Sequence, residues 1–253
     1  MTPPIIDADS ALFLDFDGTL AEIAPIPGAV RVDPRLAPLL NRLSDRLGNA
    51  LAIVSGRNIA ELTKLLGNYS GAIAGIHGLE RRGIDGRIFR PSQIAILDHA
   101  RKVMSNFAAT TPGVVVEDKG LGVALHFRAN PEQGFACLQI ARELVWLSGQ
   151  RLTITQGKMV VEVHMAGANK GKAILDFLNE PPFRGRRPIY VGDDRPDESG
   201  FVFVNHLGGT TVLVGSNAMS AAKFRLPGVP DVLAWLARSL PSPPSASVSR
   251  ATT

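Results

Sequence analysis

Ala11-Leu12-Phe13-Leu14-Asp15-Phe16-Asp17-Gly18-Thr19-Leu20 sets four apolar residues directly against two aspartates and a glycine. Four apolar positions without polar alternation are the pattern of a strand buried on both faces, and Gly18 permits a turn just beyond it. The arrangement recurs. Run 51–54 leads into Ser55-Gly56-Arg57, and run 188–191 leads into Gly192-Asp193-Asp194-Arg195-Pro196-Asp197-Glu198. Runs 72–76 and 211–214 have the same apolar character. Between the first two runs, Leu36, Leu39, Leu40, Leu43 and Leu47 predict a helix, with Asp33 as N-cap and Pro34 as first residue. A second helix is expected to begin near Asn58 and to carry Leu62, Leu65 and Leu66. This alternation points to an α/β fold, an open parallel sheet covered by helices.

The middle of the chain differs. A helix is expected over 91–111, carrying Ile94, Ile96, Leu97, Ala100, Val103, Met104 and Phe107, and strands over 114–117 and 123–127. A second helix over 132–147 and strands over 152–155 and 160–163, joined at Gly157-Lys158, repeat the pattern. The expected architecture is a Rossmann-like core built from 1–91 and 165–239, interrupted by an α+β unit (αββαββ) over 92–164. Residues 240–253, rich in Pro and Ser, read as a disordered tail.

Composition narrows the function classes. In 253 residues, 45% are hydrophobic and 20% charged, which excludes a largely disordered chain. One cysteine, Cys137, excludes an intrachain disulfide framework and a cysteine-based zinc cluster. No apolar run approaches the roughly 18 residues of a membrane span, and the first ten residues lack the basic start of a secretory signal. The expected location is therefore cytoplasmic. A net charge of +4 with only 6% aromatics argues against nucleic-acid binding and suits a phosphorylated small molecule.

In a parallel sheet the strands' carboxyl ends share one edge, so the polar segments after 11–14, 51–54 and 188–191 should converge where open α/β folds bind ligands. One Asp-Gly would read as a helix cap, but acids after two separate buried strands read as a site. Asp15, Asp17, Asp193, Asp194 and Asp197 would repel one another unless a hard divalent cation, Mg²⁺ best, sat among them. A carboxylate beside such a cation can attack phosphorus. Ser55 and Thr19 could donate to phosphate oxygens, and Gly18, Gly56 and Gly192 allow close backbone approach. Lys170, opening a helix with Ile174, Leu175 and Leu178, could neutralise charge. Residues 167–172 lack P-loop spacing, and neither HExxH nor GxSxG is present.

The ordered set Asp15-x-Asp17-Gly18-Thr19, Ser55-Gly56-Arg57, Lys170 and Gly192-Asp193-Asp194 resembles the haloacid dehalogenase superfamily of aspartate-nucleophile phosphatases. The strings DGTLAEI (17–23), AGIHGLERR (74–82), QGKMVVEV (156–163) and GDDRPDESGF (192–201) resemble the trehalose-6-phosphate phosphatase family within it, over about 11–238. The resemblance implies that the inserted unit is a cap and that the chain serves trehalose biosynthesis. It implies Asp15 as nucleophile and Mg²⁺ ligand, and Asp17 as acid then base, with its backbone carbonyl on the metal. Asp193 would be the third metal ligand, supported by Asp194 and Asp197. Phosphate would be held by Asp15, Phe16, Asp17, Gly18, Ser55, Gly56 and Lys170. Glu117, Lys119, Lys158 and Glu162 would recognise the distal sugar from the cap. His77 and Glu80 also match the family, with a structural role for His77 as good a reading as substrate contact. Pro196 stands where the family usually has Thr and puts the orientation of Asp194 and Asp197 in question. Two alternatives stay open. One is a phosphatase or phosphotransferase for another sugar phosphate, and the other is a silent sugar-phosphate sensor.

Overall fold

Strand β1 (Ser10–Leu14) is buried at all five residues and lies inside the larger sheet, as its unbroken apolar run predicts. The computed structural model describes residues 1–90, 96–216 and 219–241. After β1 come α1 (Leu36–Arg46), β2 (Leu51–Val54), α2 (Ile59–Leu66), β3 (Ala72–Gly75), β4 (Glu80–Arg82) and β5 (Ile88–Phe89). The inserted unit follows as α3 (Ile96–Thr110), β6 (Val115–Asp118), β7 (Gly122–His126), α4 (Gly134–Leu147), β8 (Leu152–Gly157) and β9 (Val160–Met165). The chain returns through α5 (Lys170–Leu178), β10 (Arg187–Gly192), α6 (Glu198–His206), β11 (Thr210–Val214), β12 (Phe224–Leu226) and α7 (Val229–Arg238).

Among the described residues the larger sheet has the order β12-β11-β10-β1-β2-β3-β4-β5. Strands β12 through β3 pair in parallel, and β4 and β5 extend that edge antiparallel. From β1 the chain winds one way through β2 and β3, and after the insertion it winds the other way from β10 to β12. The order therefore reverses between β1 and β10, and a crevice opens beyond the carboxyl ends of a pair related this way. Asp15 follows β1 and Asp193 follows β10, with Leu14 in register with Val191, so both acids stand at that crevice.

The smaller sheet is antiparallel, ordered β6-β7-β9-β8. Successive side chains alternate faces. Val123, Leu125, Val161 and Val163 pack with Leu97, Ala100 and Met104 of α3 and Cys137, Ala141 and Leu144 of α4. The register then puts Glu117 opposite Ala124, Ala124 opposite Glu162 and Glu162 opposite Thr155. One cross-strand row on the helix-free face thus carries two glutamates, with a small alanine between them.

The expected α/β core with an inserted α-β-β-α-β-β unit is the architecture found, with local corrections. Asp33 and Pro34 do not start α1. Asp33 instead accepts from the Arg35 N–H at 2.8 Å in a preceding turn, and the helix begins at Leu36. Asn58 does cap α2, accepting from the Glu61 N–H at 2.8 Å, an interaction of about 1 kcal/mol. In α5 the buried face is Ala173, Ile174 and Phe177, and Leu175 points outward. The third strand stops at Gly75, because Ile76 and His77 take positive φ of 48° and 55°. The expected start of α3 at 91–95 and most of the expected tail, 242–253, lie outside the described residues. Among the described residues no helix is long and apolar enough to cross a membrane.

Candidate active site

Asp15 leaves β1 with its N–H bonded to the Val191 carbonyl at 2.9 Å, which fixes it between the two central strands. It is 4% exposed. Its Oδ1 accepts from Lys170 Nζ at 2.6 Å, and its Oδ2 has the longer contact, 3.4 Å from Thr19 Oγ1. Lys170 is the first residue of α5, positioned by the Asn169 cap, whose side chain accepts from the Lys172 N–H. The turn beyond Asp15 closes on the Phe16 carbonyl, which accepts from Leu20 at 2.8 Å and Ala21 at 3.0 Å, while the Phe16 ring is buried in the core. Gly18 has φ of +81°, and a Cβ there would lie 2.2 Å from Asp193 Oδ2. Only glycine allows this turn and this acid to coexist.

Asp197, fully buried, organises the opposite wall. Its Oδ2 accepts from the backbone N–H groups of Asp193 (3.0 Å) and Asp194 (2.9 Å). Its Oδ1 accepts from Lys170 Nζ at 2.5 Å and from the Tyr190 hydroxyl. Asp194 and Asp197 form a reciprocal capping box, and Pro196 sits in the first turn of that short helix, where a missing N–H costs nothing. The substitution that put these aspartates in question therefore leaves both in place.

Asp15, Asp193 and Asp197 each offer an oxygen within 4.8 Å of the others. Burial, then Asp197 and Asp193, push the Asp15 carboxyl well above the usual range against the pull of Lys170. Burial and Asp197 push Asp193 up to about 6. Carboxylates packed this closely fit a hard divalent cation, which would offset the repulsion. Both Asp197 oxygens already accept two donors each, so of the three acids Asp15 and Asp193 have more acceptor capacity to spare. The Asp17 carboxylate is outside this cluster and turns to Arg57, which donates from Nε at 2.6 Å and Nη2 at 2.8 Å.

Ser55 is buried, and its Oγ accepts from the Arg57 N–H at 3.1 Å. Gly56 leaves room for the His77 ring, since a Cβ there would come within 2.9 Å of it. His77 in turn sits 3.6 Å from Glu162 Oε2, where the smaller sheet meets the larger. Lys119 Nζ lies 2.6 Å from that same oxygen. Glu162 Oε1 is buried and has no hydrogen-bond partner among the described residues. Glu117 bonds His126 at 2.6 Å. His164 donates from Nδ1 to the Met165 carbonyl and accepts at Nε2 from Thr155, a neutral tautomer consistent with burial lowering its pKa to about 4.

One cavity is lined by Asp15, Asp17, Ser55, Gly56, Lys170, Asp193, Asp194 and Asp197 from the core and by Glu117, Lys119, Lys158 and Glu162 from the cap. Of the residues singled out in the sequence, Phe16, Gly18, Thr19, Glu80 and Gly192 are not among its lining; Phe16 and Gly18 shape the turn beneath it. Lys158, expected as a sugar contact, lines this cavity and also touches the acidic loop. Its ammonium lies 2.5 Å from Asp193 Oδ2 and its backbone N–H donates to Asp194 at 2.7 Å. The cap turn thus docks on the acidic loop. Sequence reasoning gave no role to Arg57, Tyr190, Thr155 or Arg128. Arg57 was visible within the Ser55-Gly56-Arg57 string. Tyr190 was hidden inside an apolar run, and Arg128, which bonds the Ala24 carbonyl at 2.9 Å, gave no local signal.

Known proteins share both sequence and fold with this chain. The trehalose-phosphatase family profile matches residues 13–230. A trehalose-6-phosphate phosphatase of Escherichia coli (strain K12) is 42% identical over 238 residues, covering 92% of this chain and 87% of that protein. A probable trehalose-phosphate phosphatase of Sinorhizobium fredii is 43% identical over 205 residues, 81% of this chain and 77% of that one. In structure, the C-terminal domain of a Candida albicans trehalose-6-phosphate phosphatase superposes with a TM-score of 0.80 at 24% identity, covering 92% of each chain. A haloacid dehalogenase-like hydrolase from Bacteroides thetaiotaomicron shares the fold at a TM-score of 0.65 and 15% identity, covering 90% of this chain and 98% of that one. The chain belongs to the trehalose-phosphatase family.

Proposed function

We propose that the protein hydrolyses trehalose 6-phosphate to trehalose and phosphate, with Asp15 as nucleophile and Mg²⁺ as cofactor. The observation that carries this reading is that Glu117, Lys119 and Glu162 of the cap line the same cavity as Asp15 and Lys170. Phosphate chemistry and a polar, hydroxyl-seeking wall thereby face one another. The buried, unpartnered Glu162 Oε1 calls for a donor, and a sugar hydroxyl supplies one.

In the first half-reaction an Asp15 oxygen bonds to phosphorus, the bond from phosphorus to the sugar oxygen breaks, and Asp17 gives its proton to that oxygen. In the second, water attacks the phosphorus of the aspartyl-phosphate, Asp17 takes the water's proton, and Asp15 is regenerated as phosphate leaves. Lys170 balances negative charge on Asp15 throughout, and Ser55 with the backbone after β1 and β2 holds the phosphate oxygens. Mg²⁺, held by Asp15, Asp193 and the Asp17 carbonyl, would supply charge neutralisation between nucleophile and phosphate. The cap keeps bulk water from the phosphorus during the first half-reaction and leaves room for the single attacking water in the second.

Glu162→Gln tests the sugar wall. It keeps the volume and one acceptor but weakens the Lys119 pair. The expected result is a KM for trehalose 6-phosphate raised about tenfold, with little change for p-nitrophenyl phosphate, which has no second sugar to hold. Equal effects on both substrates contradict the assignment of the cap face to sugar recognition.

A further inference from the structure

We propose that Arg57 is a positioning residue for the acid–base group Asp17, an inference that rests on the acid–base role given to Asp17 above. The pair is a two-point fork. Arg57 Nε lies 2.6 Å from Asp17 Oδ2 and Nη2 lies 2.8 Å from Oδ1. Such a fork fixes the plane of a carboxylate as well as its distance, which a single ammonium contact does not do.

Arg57 is itself held on several sides. It follows β2 at the carboxyl edge, its N–H donates to Ser55 Oγ, and its carbonyl accepts from the Ile76 N–H at 2.9 Å. Its guanidinium lies 5.9 Å from the centroid of the Phe16 ring, and Nη1 is 3.5 Å from Glu61. The residue is only 8% exposed, whereas the Asp17 side chain is 33% exposed and lines the cavity. A buried, immobilised cation thus holds a carboxyl whose free side faces the reacting space.

The geometry serves both half-reactions. When Asp17 carries the proton, one oxygen can still accept from Arg57 while the other donates to the departing sugar oxygen. After that transfer both oxygens accept from the fork, and one turns back to water's proton in the second step. Without the fork the carboxyl rotates freely about its own bond, and misplacement by about 1 Å costs on the order of 10²-fold in rate.

The test is Arg57→Gln beside Arg57→Lys and Asp17→Asn, each with the Mg²⁺-loaded enzyme and each checked by thermal unfolding. Two substrates are compared: trehalose 6-phosphate, whose leaving oxygen needs a proton, and p-nitrophenyl phosphate, whose phenolate leaves without one. In Arg57→Gln, kcat for trehalose 6-phosphate should fall about 10²-fold. The first-turnover release of p-nitrophenolate should fall at least about tenfold less. A p-nitrophenolate burst equal to the enzyme concentration should then appear, because the water step has become slow. Arg57→Lys, which keeps the charge but not the fork, should recover only part of the loss. The double variant Asp17→Asn, Arg57→Gln should be scarcely slower than Asp17→Asn alone.

Equal losses on both substrates, or additive losses in the double variant, overturn the proposal and leave Arg57 a structural residue. Absence of the leaving-group bias in Asp17→Asn itself overturns the role of Asp17 and this inference with it. Bias in Asp17→Asn without bias in Arg57→Gln removes the inference alone. Arg57→Lys keeps the test decisive should Arg57→Gln fail to fold.

Discussion

Asp15→Asn is expected to lower kcat on trehalose 6-phosphate by at least about 10⁴-fold and to leave the unfolding temperature unchanged or higher. The loss follows from chemistry, because an amide oxygen is not a nucleophile toward phosphorus under these conditions. The stability follows from linkage. The Asp15 carboxyl is held above its ordinary value of 3.8 by burial and by Asp197 and Asp193. Between that ordinary value and the native one, the folded protein binds more protons than the unfolded chain, so stability falls as pH rises. A neutral isostere removes the repulsion with Asp197 and Asp193, while Lys170 keeps its pair with Asp197. Single-turnover phosphate release and thermal unfolding read the two effects. Wild-type turnover in the variant would remove Asp15 as nucleophile.

Lys170→Met carries the second large effect, on activity and fold together. Burial alone would depress the Lys170 ammonium, but Asp15 and Asp197 on either side raise it, and the residue is 4% exposed. Removing it leaves two buried carboxylates facing each other. Breaking a buried pair by deleting one partner costs about 3–5 kcal/mol. In a domain of this size that corresponds to roughly 10 °C in Tm. Activity should fall about 10³-fold, since charge on Asp15 and the phosphate loses its fixed counter-ion. Lys170→Arg should recover stability poorly, because the planar fork does not fit the space between two carboxylates 2.6 and 2.5 Å from one ammonium nitrogen. Thermal unfolding and steady-state kinetics check both. A Tm equal to wild type in Lys170→Met would show that the lysine does not hold the two acids.

How much of this was legible beforehand depended on whether the signal was local. Runs such as 11–14 and 188–191 show buried parallel strands in the residue pattern itself, and the acids at their ends follow from topology. The register that puts Glu117 and Glu162 in one row was invisible, because it is fixed by the pairing of β7 with β6 on one side and with β9, which follows α4 and β8 in the chain, on the other. The bond of Lys158 to Asp193 joins residues 35 positions apart and depends on how the cap sits. Strands β4 and β5 gave no apolar run, since Glu80, Arg81 and Arg82 make up one and Ile88 and Phe89, both exposed, the other. Helix α7 could have been found. Pro230 in its first turn and Val229, Val232, Trp235 and Leu236 at helical spacing are the signals.

The resemblance covered the gaps that pattern reading left, and the fold agrees with it. The departure at Pro196 turned out to be local. The backbone donors of Asp193 and Asp194, rather than a hydroxyl at position 196, aim Asp197, and proline is at home in the first turn of the short helix. The reading of the chain as a silent sensor loses its structural motive there, since Asp15, Asp17, Lys170 and Asp193 remain around one cavity.

The most direct measurement is phosphate release by the purified protein, with and without Mg²⁺, across trehalose 6-phosphate, glucose 6-phosphate and other sugar phosphates. The expected result is release that depends on Mg²⁺ and a kcat/KM for the disaccharide phosphate at least about 10²-fold above that for glucose 6-phosphate. Equal rates on the two would keep the aspartate chemistry and contradict the substrate, and no release from any of them would contradict phosphatase activity altogether.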